Sequence, residues 1–272
     1  MGSWGKDFET WNWISWKNLI FMASKKKVLI TGLTGRIGKS FLEEYSKKYK
    51  DKYDLTVGIN KTPLSGYETV KINLSNLDEL TKVFSGFDVV VNLAGVSNEK
   101  NPNFMEFVEP NLIGTYNILE ASKRAKVKRV VMASSVHAVR GYPLGKSFEM
   151  SLASKPLNYY GATKVFIESM CHVYAHSYGL NCFAIRIGAY ISDEALKTAC
   201  PTRNNFDYIL SQRDFAQLVY KCIIANNDVK FGILAGTSNN KNLYMGLEET
   251  KKLVGYEPQD DGYEMCKPHI LK

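Results

Sequence analysis

The chain reads as an α/β protein: a doubly wound parallel sheet with a small C-terminal substrate-binding portion. Three observations predict this. From residue 27 to 189, short β-rich runs alternate with helical stretches, the rhythm of strand–helix–strand units with helices on both faces of a sheet. One run, DVVVNLAG (88–95), is apolar rather than alternating, as a strand buried on both faces must be. The first run ends in spaced glycines just before a helix, where an open parallel sheet receives its ligand.

The elements follow in order. KVLIT (27–31) is the first strand, and the stretch from Arg36 to Lys50 is a helix. LTVGIN (55–60) and ETVKINL (68–74) are the next strands, and a short helix over 76–85 has Asn76 near its start. After the central strand 88–95 comes a helix from Asn111 to Lys126 and a fifth strand, KRVVMASS (128–135). A long helix runs from Tyr159 to Tyr178 and is stopped by Gly179, before the sixth strand CFAIRIGA (182–189). The rhythm then changes: an irregular stretch (191–207), a helix (211–225), the strand-like FGILAG (231–236) and a last helix (243–254). The expected organisation is an N-terminal extension over 1–24, a dinucleotide-binding domain over 25–190 and a substrate-binding or lid region over 191–272.

Composition narrows the classes. Of 272 residues, 45% are apolar and 12% aromatic, which excludes a chain disordered throughout. No apolar stretch of about 18 residues appears, so no membrane-spanning helix is expected. The formal charge of +8 invites nucleic acid. The basic residues sit at helix ends and turns, as at Lys123, Arg124, Lys126, Lys128 and Arg129, and read as a solvated surface, so no nucleic-acid partner is expected. The five cysteines are scattered and lack a C-x-x-C pair. They predict no metal site and reduced thiols in a cytoplasmic protein. All four tryptophans (Trp4, Trp11, Trp13, Trp16) lie in residues 1–21, which match a secretory signal poorly. That stretch reads as a poorly ordered extension ahead of Met22, with an amphipathic surface-binding segment as the alternative.

The glycines Gly32, Gly35 and Gly38 in TGLTGRIGKS, at a strand-to-helix turn, let backbone approach a pyrophosphate. Thr34, Arg36 and Ile37 lie between them, and Leu93, Ala94 and Gly95 close the fourth strand beside them. The second strand ends in Asn60-Lys61 with no acid for a ribose hydroxyl. With Arg36 this favours the 2′-phosphate of NADP over NAD. Leu74, at the end of the third strand, completes the candidate cofactor residues.

Tyr160 and Lys164 are four apart on a helix and share a face. A free phenol is too basic to take protons at neutral pH, and an adjacent ammonium is expected to lower its pKa. Ser135, at the end of the fifth strand, can polarise a substrate oxygen while Tyr160 moves its proton, with Ser134 as the alternative hydroxyl. Asn111 opens the next helix along the same edge.

Taken in order, TGLTGRIG, NLAG, NLIGTYNILEAS, ASS, YGATK and RIGA identify a resemblance to the extended short-chain dehydrogenase/reductases, the NAD-dependent epimerase/dehydratase group. It spans roughly residues 27–258. The resemblance implies a Rossmann sheet, Tyr160 as catalytic acid/base, Lys164 as its partner and nicotinamide-ribose ligand, Ser135 as the polarising hydroxyl, and a homodimer. Within the group the chain is most similar to uronate dehydrogenases, through GVSNEKNP (95–102), ASSVHAVRGYP (133–143) and LSQRDFAQLVYKC (210–222). That implies a sugar pocket of Ser97, Ser135, His137, Tyr160 and Arg186, with Arg186 clamping a carboxylate. Val136 stands where those enzymes carry a polar asparagine, and Asn60 where they carry an acid. The expected activity is hydride transfer between NAD(P) and a small sugar or sugar acid. A nucleotide-sugar epimerase, dehydratase or reductase, and a non-catalytic NAD(P) sensor, stand as alternatives.

Overall fold

A computed structural model describes residues 25–270; the tryptophan-rich extension lies outside them. The chain runs β1 (Lys26–Thr31), α1 (Gly38–Glu44), β2 (Tyr53–Ile59), β3 (Glu68–Lys71), α2 (Leu77–Phe84), β4 (Val89–Asn92), the one-turn α3 (Met105–Phe107), α4 (Gly114–Arg124), β5 (Arg129–Ser135) and α5 (Tyr159–Tyr178). It continues through β6 (Asn181–Ile187), β7 (Ala189–Ile191), α6 (Leu196–Ala199), β8 (Ile209–Ser211), α7 (Gln212–Ile224), β9 (Phe231–Gly236), α8 (Glu248–Val254) and α9 (Gly262–Ile270).

Seven strands form one sheet in the order β3-β2-β1-β4-β5-β6-β9, and every pairing is parallel. The order reverses between β1 and β4, so a crevice opens at their carboxyl ends. Each central strand feeds two cores. Val28 and Ile30 of β1 face one side with Phe41 and Phe215. Leu29 faces the other with Leu80, Ile118 and Ile167. The apolar run of β4 follows from this double burial: Val89 and Val91 serve the first core, Val90 the second.

Local chemistry sets the element ends. The Asn76 side chain accepts from Glu79 N–H at the start of α2, and Asn158 accepts from Gly161 N–H at 2.7 Å at the start of α5. Gly179, with φ of 70°, ends α5 in the left-handed conformation. The helix expected from Asn111 starts earlier, because Pro110 is accommodated in a wide turn, Val108–Ile113, that leads into α4.

Three expectations change. Arg129 is no solvated basic residue: it is 1% exposed, and its guanidinium donates to the carbonyls of Ala225 and Asn226 at 2.8 Å, capping the chain after α7. Cys200 and Cys266 form a disulfide, whereas reduced thiols were expected throughout; Cys171, Cys182 and Cys222 remain free and buried. The pairing was hidden because 66 residues separate the two, and only the packing of α6 on α9 joins them. Finally, the stretch 191–272 does more than cover a site. Its β9 is the edge strand of the main sheet, and its α7 packs on α1. The β7–β8 pair, α6 and α9 form a small lobe around Ile191, Ile209 and the disulfide.

Candidate active site

The strand ends open into a cavity of about 550 Å³. One wall is the glycine turn after β1, with Gly32, Thr34, Gly35, Arg36 and Ile37. Gly32 has φ of 86°, and a Cβ there would come within 2.5 Å of the Leu93–Ala94 backbone. Gly38 does not line the cavity, but a Cβ on it would strike the Leu33 carbonyl. Glycine at both positions lets the turn fold tightly, against the end of β4 at Gly32 and against Leu33 at Gly38, and keeps the wall clear of side chains at Gly32 and Gly35. Asn92 fixes that strand end by accepting from the Thr31 hydroxyl at 2.6 Å and from Ala94 N–H at 3.2 Å. Leu93, Ala94, Gly95 and Ser97 continue the wall. Such a bare, backbone-lined cradle suits a dinucleotide pyrophosphate.

The facing wall carries Ser135, His137, Tyr160 and Lys164. Tyr160 is in the first turn of α5, and Lys164 one turn on. The Lys164 ammonium donates to the Ala133 carbonyl at 2.8 Å and lies 5.4 Å from the Tyr160 ring centroid. Burial pulls the Lys164 pKa down to about 8, opposed by the Glu168 carboxylate. Burial also pushes the Tyr160 phenol above its usual value; a hydrogen bond with Ser135 and the Arg36 charge oppose this, while Glu99 adds to it. The depressed phenol expected from the sequence is thus corrected. Desolvation outweighs the local charges, and the ammonium is held on a carbonyl rather than on the phenol oxygen.

His137 stacks edge-on to Tyr160 at 5.4 Å, and its Nδ1 lies 3.3 Å from the Asn158 amide. Burial lowers its pKa, so the neutral imidazole is favoured. Asn111 is buried below the cavity. It accepts from Val96 N–H at 2.8 Å and donates to the Thr163 hydroxyl at 3.1 Å, tying the loop after β4 to α5.

Arg186 is the clearest correction. It does not line the cavity. It is 1% exposed and forked on Glu168 of α5, with Nε at 2.8 Å and Nη2 at 2.9 Å. A guanidinium engaged this way cannot clamp a substrate carboxylate. Ser134, the alternative hydroxyl, is also engaged, donating to Glu168 at 2.6 Å. Asn60 and Lys61 are exposed at the end of β2, outside the cavity lining, and Leu74 packs under Gly114.

Among the lining residues that the sequence reading misses are four with polar side chains, Glu99, Tyr190, Arg203 and Tyr208. Glu99 lies within the GVSNEKNP stretch but has no periodic signal. Tyr190 sits on the short strand β7, and Arg203 and Tyr208 on the irregular stretch before β8, where spacing says nothing about direction. Arg203 is half-buried, and its Nε has no hydrogen-bond partner. Among the described residues no cluster of His, Cys, Asp and Glu could hold a metal, and no helix is long and apolar enough to cross a membrane.

Comparison with known proteins adds four similarities. A model of the NAD dependent epimerase/dehydratase family matches residues 28–219. Uronate dehydrogenase of Pseudomonas syringae pv. tomato is 29% identical over 236 residues, 86% of this chain and 82% of that one. L-arabinose 1-dehydrogenase (NAD(P)(+)) of Haloferax volcanii is 28% identical over 256 residues, covering 86% and 97%. Among solved structures, uronate dehydrogenase from Agrobacterium tumefaciens is similar with a TM-score of 0.77 and 26% identity, covering 90% of this chain and 88% of that one.

Proposed function

This chain belongs to the NAD-dependent epimerase/dehydratase family, and from that premise we propose that it is an NAD(P)-dependent dehydrogenase of small sugars or sugar acids, oxidising the anomeric carbon. The observation that carries the reading is the meeting of Ser135, Tyr160 and Lys164 on one wall of a cavity whose other wall is the bare glycine cradle.

Bound NAD(P)+ would supply the acceptor for the hydride that leaves the sugar carbon. Gly32, Gly35, Ala94 and Gly95 leave room for its pyrophosphate, and Arg36 offers charge to it. Tyr160 takes the hydroxyl proton of the carbon being oxidised. Ser135 hydrogen-bonds the same oxygen and holds it in line with the phenol. Lys164 keeps positive charge beside the phenolate as it forms. His137 and Ser97 orient the remaining hydroxyls.

Arg203, not Arg186, is the cation offered to an anionic end of the substrate; its unpartnered Nε supports that role. Arg36 and Lys61, with Asn60 in place of an acid, favour NADP over NAD. A homodimer is supported by apolar and aromatic side chains exposed on and beside α4 and α5: Ile113, Tyr116, Tyr159, Val173 and Tyr178. Work in the cytoplasm fits an enzyme that must draw on a diffusible NAD(P) pool.

The test is a screen of uronic acids, neutral aldoses and keto-sugars with both cofactors, read by the absorbance of reduced nicotinamide. Stoichiometric reduction with one sugar class supports the reading. An epimerase would convert sugar with no net reduced nicotinamide.

A further inference from the structure

A second cavity, of about 610 Å³, runs along α1 from the glycine turn. Its apolar lining is Leu33, Leu42, Pro63, Leu64 and Tyr67. Leu33 and Leu42 are buried, whereas Leu64 and Tyr67 are half-buried and Pro63 is exposed. At one end Thr34 and Gly35 line this groove and the catalytic cavity alike. At the other end stand Ser46 and Lys47, on the wide turn Tyr45–Tyr49 that continues α1. The Tyr67 hydroxyl meets Ser46 Oγ at 2.9 Å, which fixes the ring across the groove. The proposed reaction uses none of these apolar side chains.

The described chain begins beside this groove. The Lys25 ammonium donates to the Lys50 carbonyl at 3.5 Å, and that carbonyl is one helical turn, about 5 Å, beyond Lys47. The Lys26 ammonium donates to the Ile223 carbonyl of α7 at 2.9 Å. The chain therefore enters β1 on the face that carries α1 and α7, whose Phe41 and Phe215 share one core. The apolar side chains exposed on α4 and α5 belong to the opposite face, with Ile118 and Ile167. The run from Gly38 to Tyr49 is about 18 Å long. Trp16 precedes Lys25 by nine residues, a reach of up to about 30 Å.

The sequence ahead of Lys25 matches the groove in character. Its charges, Lys6, Asp7, Glu9 and Lys17, cancel, so net charge gives it no preferred surface. Eight of the twelve residues 11–22 are apolar, and three of them are tryptophan. Each indole brings about 150–250 Å² of surface that gains by leaving water. A short tether holds such a segment at an effective concentration of about millimolar. A separate partner at micromolar concentration would need an affinity about a thousandfold tighter for the same occupancy.

We propose that the tryptophan-rich segment 11–22 docks into the α1 groove of its own chain, its indoles on Leu42, Leu64 and Tyr67, and so abuts the glycine turn at Thr34 and Gly35. The docking stands apart from the proposed reaction, and its test needs no turnover.

All four tryptophans of the chain lie in residues 1–21, so the indole emission of the full chain reports on this extension alone. It is expected to lie to the blue of N-acetyltryptophanamide in the same buffer and to resist quenching by acrylamide. Leu64→Glu puts a charge in the groove and should move the emission to the red and open it to the quencher. Ile113→Glu, beside α4 on the opposite face, should change neither. Proximity is read separately with a nitroxide on Ser46→Cys, a label on the exposed rim that leaves the groove floor intact. Labelling is selective, because Cys171, Cys182 and Cys222 are buried and Cys200 is bonded to Cys266. The nitroxide at residue 46 is expected to quench most of the indole emission, and the same label on Tyr178→Cys, at the end of α5, to leave it. Emission like that of the free indole, or no quenching from residue 46, overturns the inference. Unlabelled full chain is also mixed with an excess of labelled chain carrying phenylalanine for all four tryptophans, and is expected to keep its emission. Quenching in that mixture would put the segment on a second copy and overturn docking within one chain.

Discussion

The wall made by β1, β4, β5 and α5 and the cover made by β7, β8, α6 and α9 are built on different principles. In the wall, each functional group sits a fixed step from a strand or helix end. Tyr160 and Lys164 are one turn apart, Ser135 ends β5, and the glycines follow β1 directly. In the cover, placement depends on partners far along the chain. Cys200 bonds Cys266, Ser211 donates to Asp260, and the Asn240 amide donates to the Ile209 carbonyl. The wall therefore supplies reaction type through local geometry. The cover adds Tyr190, Arg203 and Tyr208 to the cavity lining.

If this division holds, changes in the wall should alter chemistry and changes in the cover should alter binding or the lobe's stability. The largest effect is expected from Lys164→Met, which removes the charge behind the phenolate. The kcat of sugar oxidation should fall by about 10²–10⁴-fold with cofactor binding retained in part, as stopped-flow turnover and cofactor titration would register. Loss of binding alone, with kcat intact, would break the comparison.

The two arginines sharpen it. Arg186→Met strips a buried carboxylate of its partner and should cost about 3–5 kcal/mol of stability by denaturant unfolding. Arg203→Met should leave stability nearly unchanged and raise KM for an anionic sugar by about tenfold or more, the worth of a charge-assisted hydrogen bond. Equal effects of both arginines on KM would restore the clamp read from the sequence.

That reversal shows what was legible. The glycine turn, the central strands and the Ser135, Tyr160 and Lys164 set could be read because strand ends and helical spacing fix direction as well as position. Arg186 was placed correctly on β6, but alternation along a strand does not say whether a guanidinium meets solvent or a carboxylate on the neighbouring helix. Its partner Glu168 looks in sequence like any helix-surface acid. The depressed phenol was misjudged for a related reason: spacing reveals the cation but not the burial that outweighs it.

A smaller effect is expected in the cover. Reducing the Cys200–Cys266 bond, or Cys266→Ser, should lower stability by about 2–4 kcal/mol, with hydrogen exchange rising in α6 and α9 before the main sheet. A uniform rise across the sheet would mean that the lobe is no separate unit of stability.

The smallest concerns Glu120 on α4, away from both regions. Burial opposes its charge, but hydrogen bonds from Lys123, Arg124 and Tyr174 win and hold the carboxyl at about 2. Since the folded value lies below the unfolded one, its contribution is present above about pH 4.3 and fades as pH falls towards 2. Glu120→Gln should therefore narrow the stability difference between neutral and acid pH, by an amount that acid titration of the unfolding midpoint would show.

The account's central claim is tested most directly by Tyr160→Phe, with cofactor affinity and sugar-dependent reduction of nicotinamide measured on the same preparation. Affinity close to wild type with turnover abolished is the predicted result. Turnover preserved with affinity intact would contradict the assignment of Tyr160 as the proton acceptor.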